Sequence, residues 1–125
     1  MSDSEDQMME NLAHRLAVSY SALATLCQNL PIEVTIPTGE VSNSEIVPAL
    51  RRVMEIVEDQ PMPRSQQNLL HAACAYWLGA MDLYGLLATV EFHSARGHSV
   101  AACLVMADDM MRLLTAWLAD NQPRK

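Results

Sequence analysis

The sequence predicts an all-α fold, with four helices in a bundle-like single domain and an extended crossover segment near residues 31–44. Three observations carry this. Apolar residues recur every three or four positions over most of the chain. Helix start and stop residues separate these runs. One short stretch shows the two-residue alternation of a strand.

The first helix is expected over about 5–30. Ser2 or Ser4 can cap it, with Glu5 or Gln7 completing a capping box. Met9, Leu12, Leu16, Tyr20, Leu23, Cys27 and Leu30 recur at helical spacing, and Glu10, His14, Ser21, Thr25 and Gln28 fall opposite. Pro31 ends it. In "IEVTIPTGEVSNS", Ile32, Val34 and Ile36 alternate with Glu33 and Thr35, and Pro37 and Gly39 then mark a turn. A lone strand has no ladder partner in this chain. The segment therefore either crosses the bundle as extended coil or pairs with a second subunit.

The second helix is expected over about 45–60, started by Ser42 with Glu45 or by Ser44 alone, with Pro48 tolerated near its first turn. Ile46, Leu50, Val53, Met54 and Val57 form its apolar face. "DQPMPRS" reads as a loop, and Ser65 as the cap of a third helix over about 66–96. Gly97 fits the residue after that helix, and Ser99 the cap of a fourth over about 100–120. The fourth helix has an apolar arc of Val100, Cys103, Met106, Met110, Met111, Leu114, Trp117 and Leu118.

The third helix is the unusual one. "LLHAACAYWLGAMDLYGLLATV" carries one formal charge, Asp82. At about 100° per residue, Tyr76, Leu83, Leu87 and Val90 share one face. Trp77 and Tyr84 share a second with Ala73 and Ala80, and Cys74, Met81, Gly85 and Phe92 a third. Its small residues, Gly79 and Gly85 among them, permit close helix approach. Three neighbouring helices of so short a chain can hardly cover all of this surface. The surplus predicts a central helix that also forms a two-fold subunit interface, hence a homodimer. A membrane span is the rival reading. Asp82 in mid-run, His71 within it and the lack of a flanking basic cluster argue against it. His71, Asp82 and His93 recur every three turns, on one stripe with Ala75 and Thr89. The stripe reads as a solvent-facing seam, or alternatively as the lining of a polar pocket in which Asp82 anchors a ligand.

A formal charge of −7 and scattered basic residues argue against nucleic acid as a partner. The acidic first ten residues and the final Arg124 and Lys125 read as two solvated ends. Cys27, Cys74 and Cys103 are odd in number, far apart and set in apolar patterns, so they read as core thiols in a reducing compartment. With an acidic start that lacks a signal-type apolar core, the expected location is the cytoplasm. Scarce lysine beside plentiful Arg and Ala hints at a GC-rich bacterial genome.

"VEFHSARGHSVA" holds His93 and His98 near Glu91, Asp108 and Asp109. No metal-ligand pattern is completed, and "HSARGHS" reads as a turn in which His93 and Arg96 gain from the negative end of the third helix. No nucleophile motif, phosphate loop or cofactor fingerprint is present. The leading expectation is a non-enzymatic helical interaction module (an adaptor, regulator or assembly factor) that self-associates through the third helix. The alternative is a small-molecule-binding protein or small biosynthetic enzyme. Its pocket would be lined by Tyr76, Trp77, Met81, Asp82, Tyr84 and Trp117, with Asp82 or a histidine as the polar group. A closed apolar cavity with a buried charge favours the second. A filled core with an exposed groove favours the first.

Overall fold

The computed structural model describes residues 3–121 and is all-helical, with no strand among them. Four α-helices follow one another: α1 (Asp3–Gln28), α2 (Asn43–Ile56), α3 (Arg64–Thr89) and α4 (Ser94–Asn121), with a 3-10 turn over Val57–Asp59 after α2. Among the described residues no helix is long and apolar enough to cross a membrane. The Ser2 cap and the basic pair Arg124 and Lys125 lie outside the described residues.

All seven apolar positions read on α1 are buried, because its stripe packs against both α3 and α4. The helix stops where expected. The side-chain amide of Asn29 donates to the Thr25 carbonyl at 2.9 Å, and Val34 N–H returns to the Cys27 carbonyl at 3.0 Å. α2 starts at Ser42, whose extended backbone and bond to the Glu45 carboxylate make the expected capping box. It packs on α3, burying Ile46, Leu50 and Val53. α3 begins after Pro63, two residues before the expected Ser65 cap. Its most extensive partner is α4, which folds back along it, and α3 also touches α1 and α2.

The crossover runs as coil, as one of its two readings had it. Ile36 is buried, Val34 half-buried and Ile32 exposed, so the alternating residues do not share one face. In place of a ladder partner the segment uses a side chain. The buried Gln60 accepts from Ile32 N–H at 3.0 Å and donates to the Ile32 carbonyl at 2.7 Å, the two bonds a neighbouring strand would make. The Gln67 amide in turn donates to the Gln60 carbonyl at 3.1 Å.

The turn between α3 and α4 is not at "HSARGHS". α3 ends at Thr89, seven residues early, and the link is Val90–His93. Thr89 and Val90 are β-branched, and the Thr89 hydroxyl bonds back to the Gly85 carbonyl at 2.7 Å, which disfavours continuation. Gly97 and Ser99 both lie inside α4, so neither stops or caps a helix. Gly97 is buried for a packing reason: a β-carbon there would overlap the terminal methyl of Met8, with Leu12 just behind. Gly97→Ala is therefore expected to be near neutral. It gains about 1 kcal/mol of helix propensity and displaces only the flexible end of a half-buried Met8. Gly97→Leu is expected to cost about 2 kcal/mol by wedging α1 off α4, read as a lower denaturant midpoint.

Candidate functional site

The largest grouping of aromatic side chains lies where α1, the crossover and α3 meet. α3 presents Trp77, Met81 and Tyr84, one face at intervals of four and three. α1 adds Leu16, Ala17, Tyr20 and Ser21. The crossover contributes Thr38, Gly39 and Val41, and the start of α2 Asn43 and Ile46. Together they bound an open cleft of about 290 Å³.

Its floor is fixed from below. The Tyr20 and Trp77 rings pack with centroids 5.2 Å apart and planes tilted by 52°. The Trp77 indole N–H donates to the Leu16 carbonyl at 3.1 Å, and the Tyr20 hydroxyl donates to the Pro37 carbonyl at 2.6 Å. That second bond pins the crossover over the cleft. Burial, with smaller effects from Cys27 and Glu45, pushes the Tyr20 phenol above its ordinary range and keeps it a donor. Gly39 turns the lip at φ 85, a backbone conformation only glycine adopts freely. No lining residue carries a formal charge, although the chain holds 23 of them by the count of 8 basic and 15 acidic residues.

Three of the six residues read from the sequence as pocket-lining meet here: Trp77, Met81 and Tyr84. The other three do not. Tyr76 and Asp82 are exposed on the far side of α3, because 100° per residue turns them away from Trp77. Trp117 lies beside Leu30, Pro31 and Pro61 at the end of α4. Asp82 belongs instead to the solvent seam: His71, Ala75, Thr89 and His93 are exposed with it. Tyr20, the central floor residue, read from sequence only as core. The cleft depends on the crossover, whose course no periodicity encodes.

The histidine segment changes its meaning with the turn. His93 precedes α4, so it and Arg96 sit at a positive helix end, where a cation gains nothing. His93 Nε2 comes within 3.5 Å of Glu91 Oε2, an approach that the non-helical link permits, and both side chains are well exposed. Among the described residues no three His, Cys, Asp or Glu side chains gather closely enough to hold a metal ion.

Cys27 and Cys74 are fully buried, and burial pushes both thiols up, that of Cys27 to about 12. An acid whose folded value is raised favours the fold below its unfolded value near 9. That contribution is lost as pH rises from there toward about 12. In the single chain at pH 8 a thiol reagent is expected to label Cys103, which is half-buried there, and to reach Cys27 and Cys74 on unfolding. Mass mapping of native and urea-unfolded protein checks this.

A single hydrophobic cluster of buried residues forms the core. Its buried polar residues among those described are Ser19 and Gln60, and Ser19 donates to Asp108 at 2.7 Å, joining α1 to α4.

A second feature lies on the opposite side of α3. Tyr76, Gly79, Leu83, Leu86 and, just past the helix end, Val90 form one stripe with three- and four-residue intervals. On α4, Cys103, Met106, Met110, Leu113 and Trp117 form another at the same spacing. α1 touches α3 at Trp77 and α4 at Gly97 and Asp108. The stripes lie about 140° and about 170° around their helices from those contacts, so both face away from α1 along most of their length, Trp117 alone reaching Leu30 beyond the end of α1. Tyr76, Leu86, Val90, Met106 and Leu113 are 37 to 72% exposed, and neither stripe contains a charge. Met106, read from sequence as core, is thus a surface residue. Among the described residues a β-carbon at Gly79 would meet nothing, so its smallness serves no contact among them.

No protein-family model, curated protein or solved structure matches the chain.

Proposed function

We propose that the protein is a non-enzymatic interaction module, an adaptor, regulator or assembly factor, that works as a homodimer through the outer face of α3 and α4. The supporting observation is the uncharged double stripe, which groups five of the large apolar side chains exposed to water among the described residues. A second copy is the partner it suits. A two-fold contact sets the same patch against itself, and the stripe residues themselves are uncharged, with Asp82, one turn from Leu86, and Asp109, one turn from Leu113, at its borders. The absence of any charged group lining the aromatic cleft also favours this reading over an acid–base enzyme. Three unpaired cysteines suit a reducing compartment, and the cytoplasm is the location we propose.

Light scattering coupled to size exclusion tests the dimer. The wild type is expected at twice the 13.9 kDa chain mass at micromolar concentration. Leu86→Glu is expected at the single-chain mass with unchanged helical content, because Leu86 is exposed in the lone chain and its loss leaves the core intact. A wild type of single-chain mass, or an unchanged mass in Leu86→Glu, counts against the proposal.

A further inference from the structure

We propose that the cleft between α1, the crossover and α3 binds a small, uncharged aromatic molecule. The site is separate from the double stripe, on the opposite side of α3, and does not depend on dimerisation.

Five features define the occupant. The floor offers no free polar group, since Tyr20 and Trp77 are buried with their polar groups committed to Pro37 and Leu16, and the accessible apolar walls come from Ala17, Val41, Met81 and Tyr84. The two rings tilt together as a floor and do not stand apart as walls, so they do not form the cage that holds an organic cation. No lining residue offers a counter-charge, and the acidic residues nearest in sequence to the lip, Glu40 and Glu45, disfavour an anion. The remaining polar lining, Ser21, Thr38, Asn43 and Tyr84, supplies neutral hydrogen-bonding groups whose side chains make no hydrogen bond to another described residue. A volume of about 290 Å³ lies at the small end of ligand sites and suits one or two fused rings with a single hydroxyl or amine. The cleft is also preformed: the Tyr20–Pro37 bond and the Gly39 turn hold its lip without a ligand. Little ordering cost therefore opposes binding.

The test is a titration of isotope-labelled protein with 2-naphthol, followed by amide and indole N–H resonances. Naphthoate and phenyltrimethylammonium serve as anionic and cationic counterparts. Saturable shifts are expected at the Trp77 indole and the Gly39 and Val41 amides with 2-naphthol, with a Kd of about 10 µM to 1 mM. The Trp117 indole, outside the cleft, is expected to stay still. Ala17→Leu fills the mouth from an exposed position, so it is expected to fold normally and weaken binding by about tenfold or more. Leu86→Glu is expected to bind like the wild type, which separates failure of this site from failure of the dimer. No saturable shift, equal binding of either charged probe, or undiminished binding by Ala17→Leu would overturn the proposal.

Discussion

Trp77→Ala is expected to destabilise the protein by about 4 kcal/mol, a large share of what a domain of this size possesses. Trp77 is 1% exposed, the largest of the fully buried side chains, and it stands on the helix that touches all three others. Truncation removes its ring contact with Tyr20 and the bond to Leu16, and leaves a cavity that three helices would have to collapse to fill. Trp77→Phe keeps most of the apolar volume but not the N–H, and is expected to lose roughly 1–2 kcal/mol. Equilibrium urea unfolding of both variants checks the order. Equal losses would mean that the hydrogen bond to Leu16 outweighs the packing.

Gln60→Ala is expected to cost about 2–3 kcal/mol, more than a polar-to-alanine change on a surface. The residue is buried, and its amide satisfies both the N–H and the carbonyl of Ile32. Its loss would take these partners from the two peptide groups that flank Ile32 and free the start of the crossover. Gln60→Glu adds a test by pH. A buried glutamic acid can donate to the Ile32 carbonyl only when protonated, so its folded-state value is expected to rise above the unfolded value of about 4.3. The variant is then closest to wild type at acidic pH and loses ground as pH climbs past that value. Unfolding at pH 4.5 and pH 8 reads the difference. A deficit that shrinks as pH rises would contradict the proposed hydrogen-bond geometry.

The first two helices were legible because their apolar spacing repeats without interruption. Every stripe position of α1 from Met9 to Cys27 is buried, as is Leu30 just beyond its end, and Ile46, Leu50, Val53 and Val57 follow suit. The α3–α4 junction was misplaced because a glycine carries two meanings. Gly97 reads locally as a stop, but its role is to let Met8 and Leu12 approach, a contact between residues almost ninety positions apart. Tertiary packing of that kind leaves no mark in local spacing. The cleft was half legible for the same reason. Trp77 and Tyr84 share a face by helical geometry alone, with Met81 about 40° to its side, while Tyr20 joins them through a bond to Pro37 that depends on where the crossover runs. Gln60 gave a signal in hindsight: a glutamine ahead of "PMP", placed to serve a lone extended segment that needed partners.

Covalent footprinting with hydroxyl radicals at about 1 µM and about 100 µM protein addresses the double stripe directly, since association follows mass action. Burial of that face predicts that Tyr76, Leu86, Met106 and Leu113 lose reactivity as concentration rises, while Val18 and Ile32, exposed elsewhere on α1 and the crossover, keep theirs. Equal labelling of all six at both concentrations, from protein with single-chain mass throughout, would contradict a dimer built on α3 and α4.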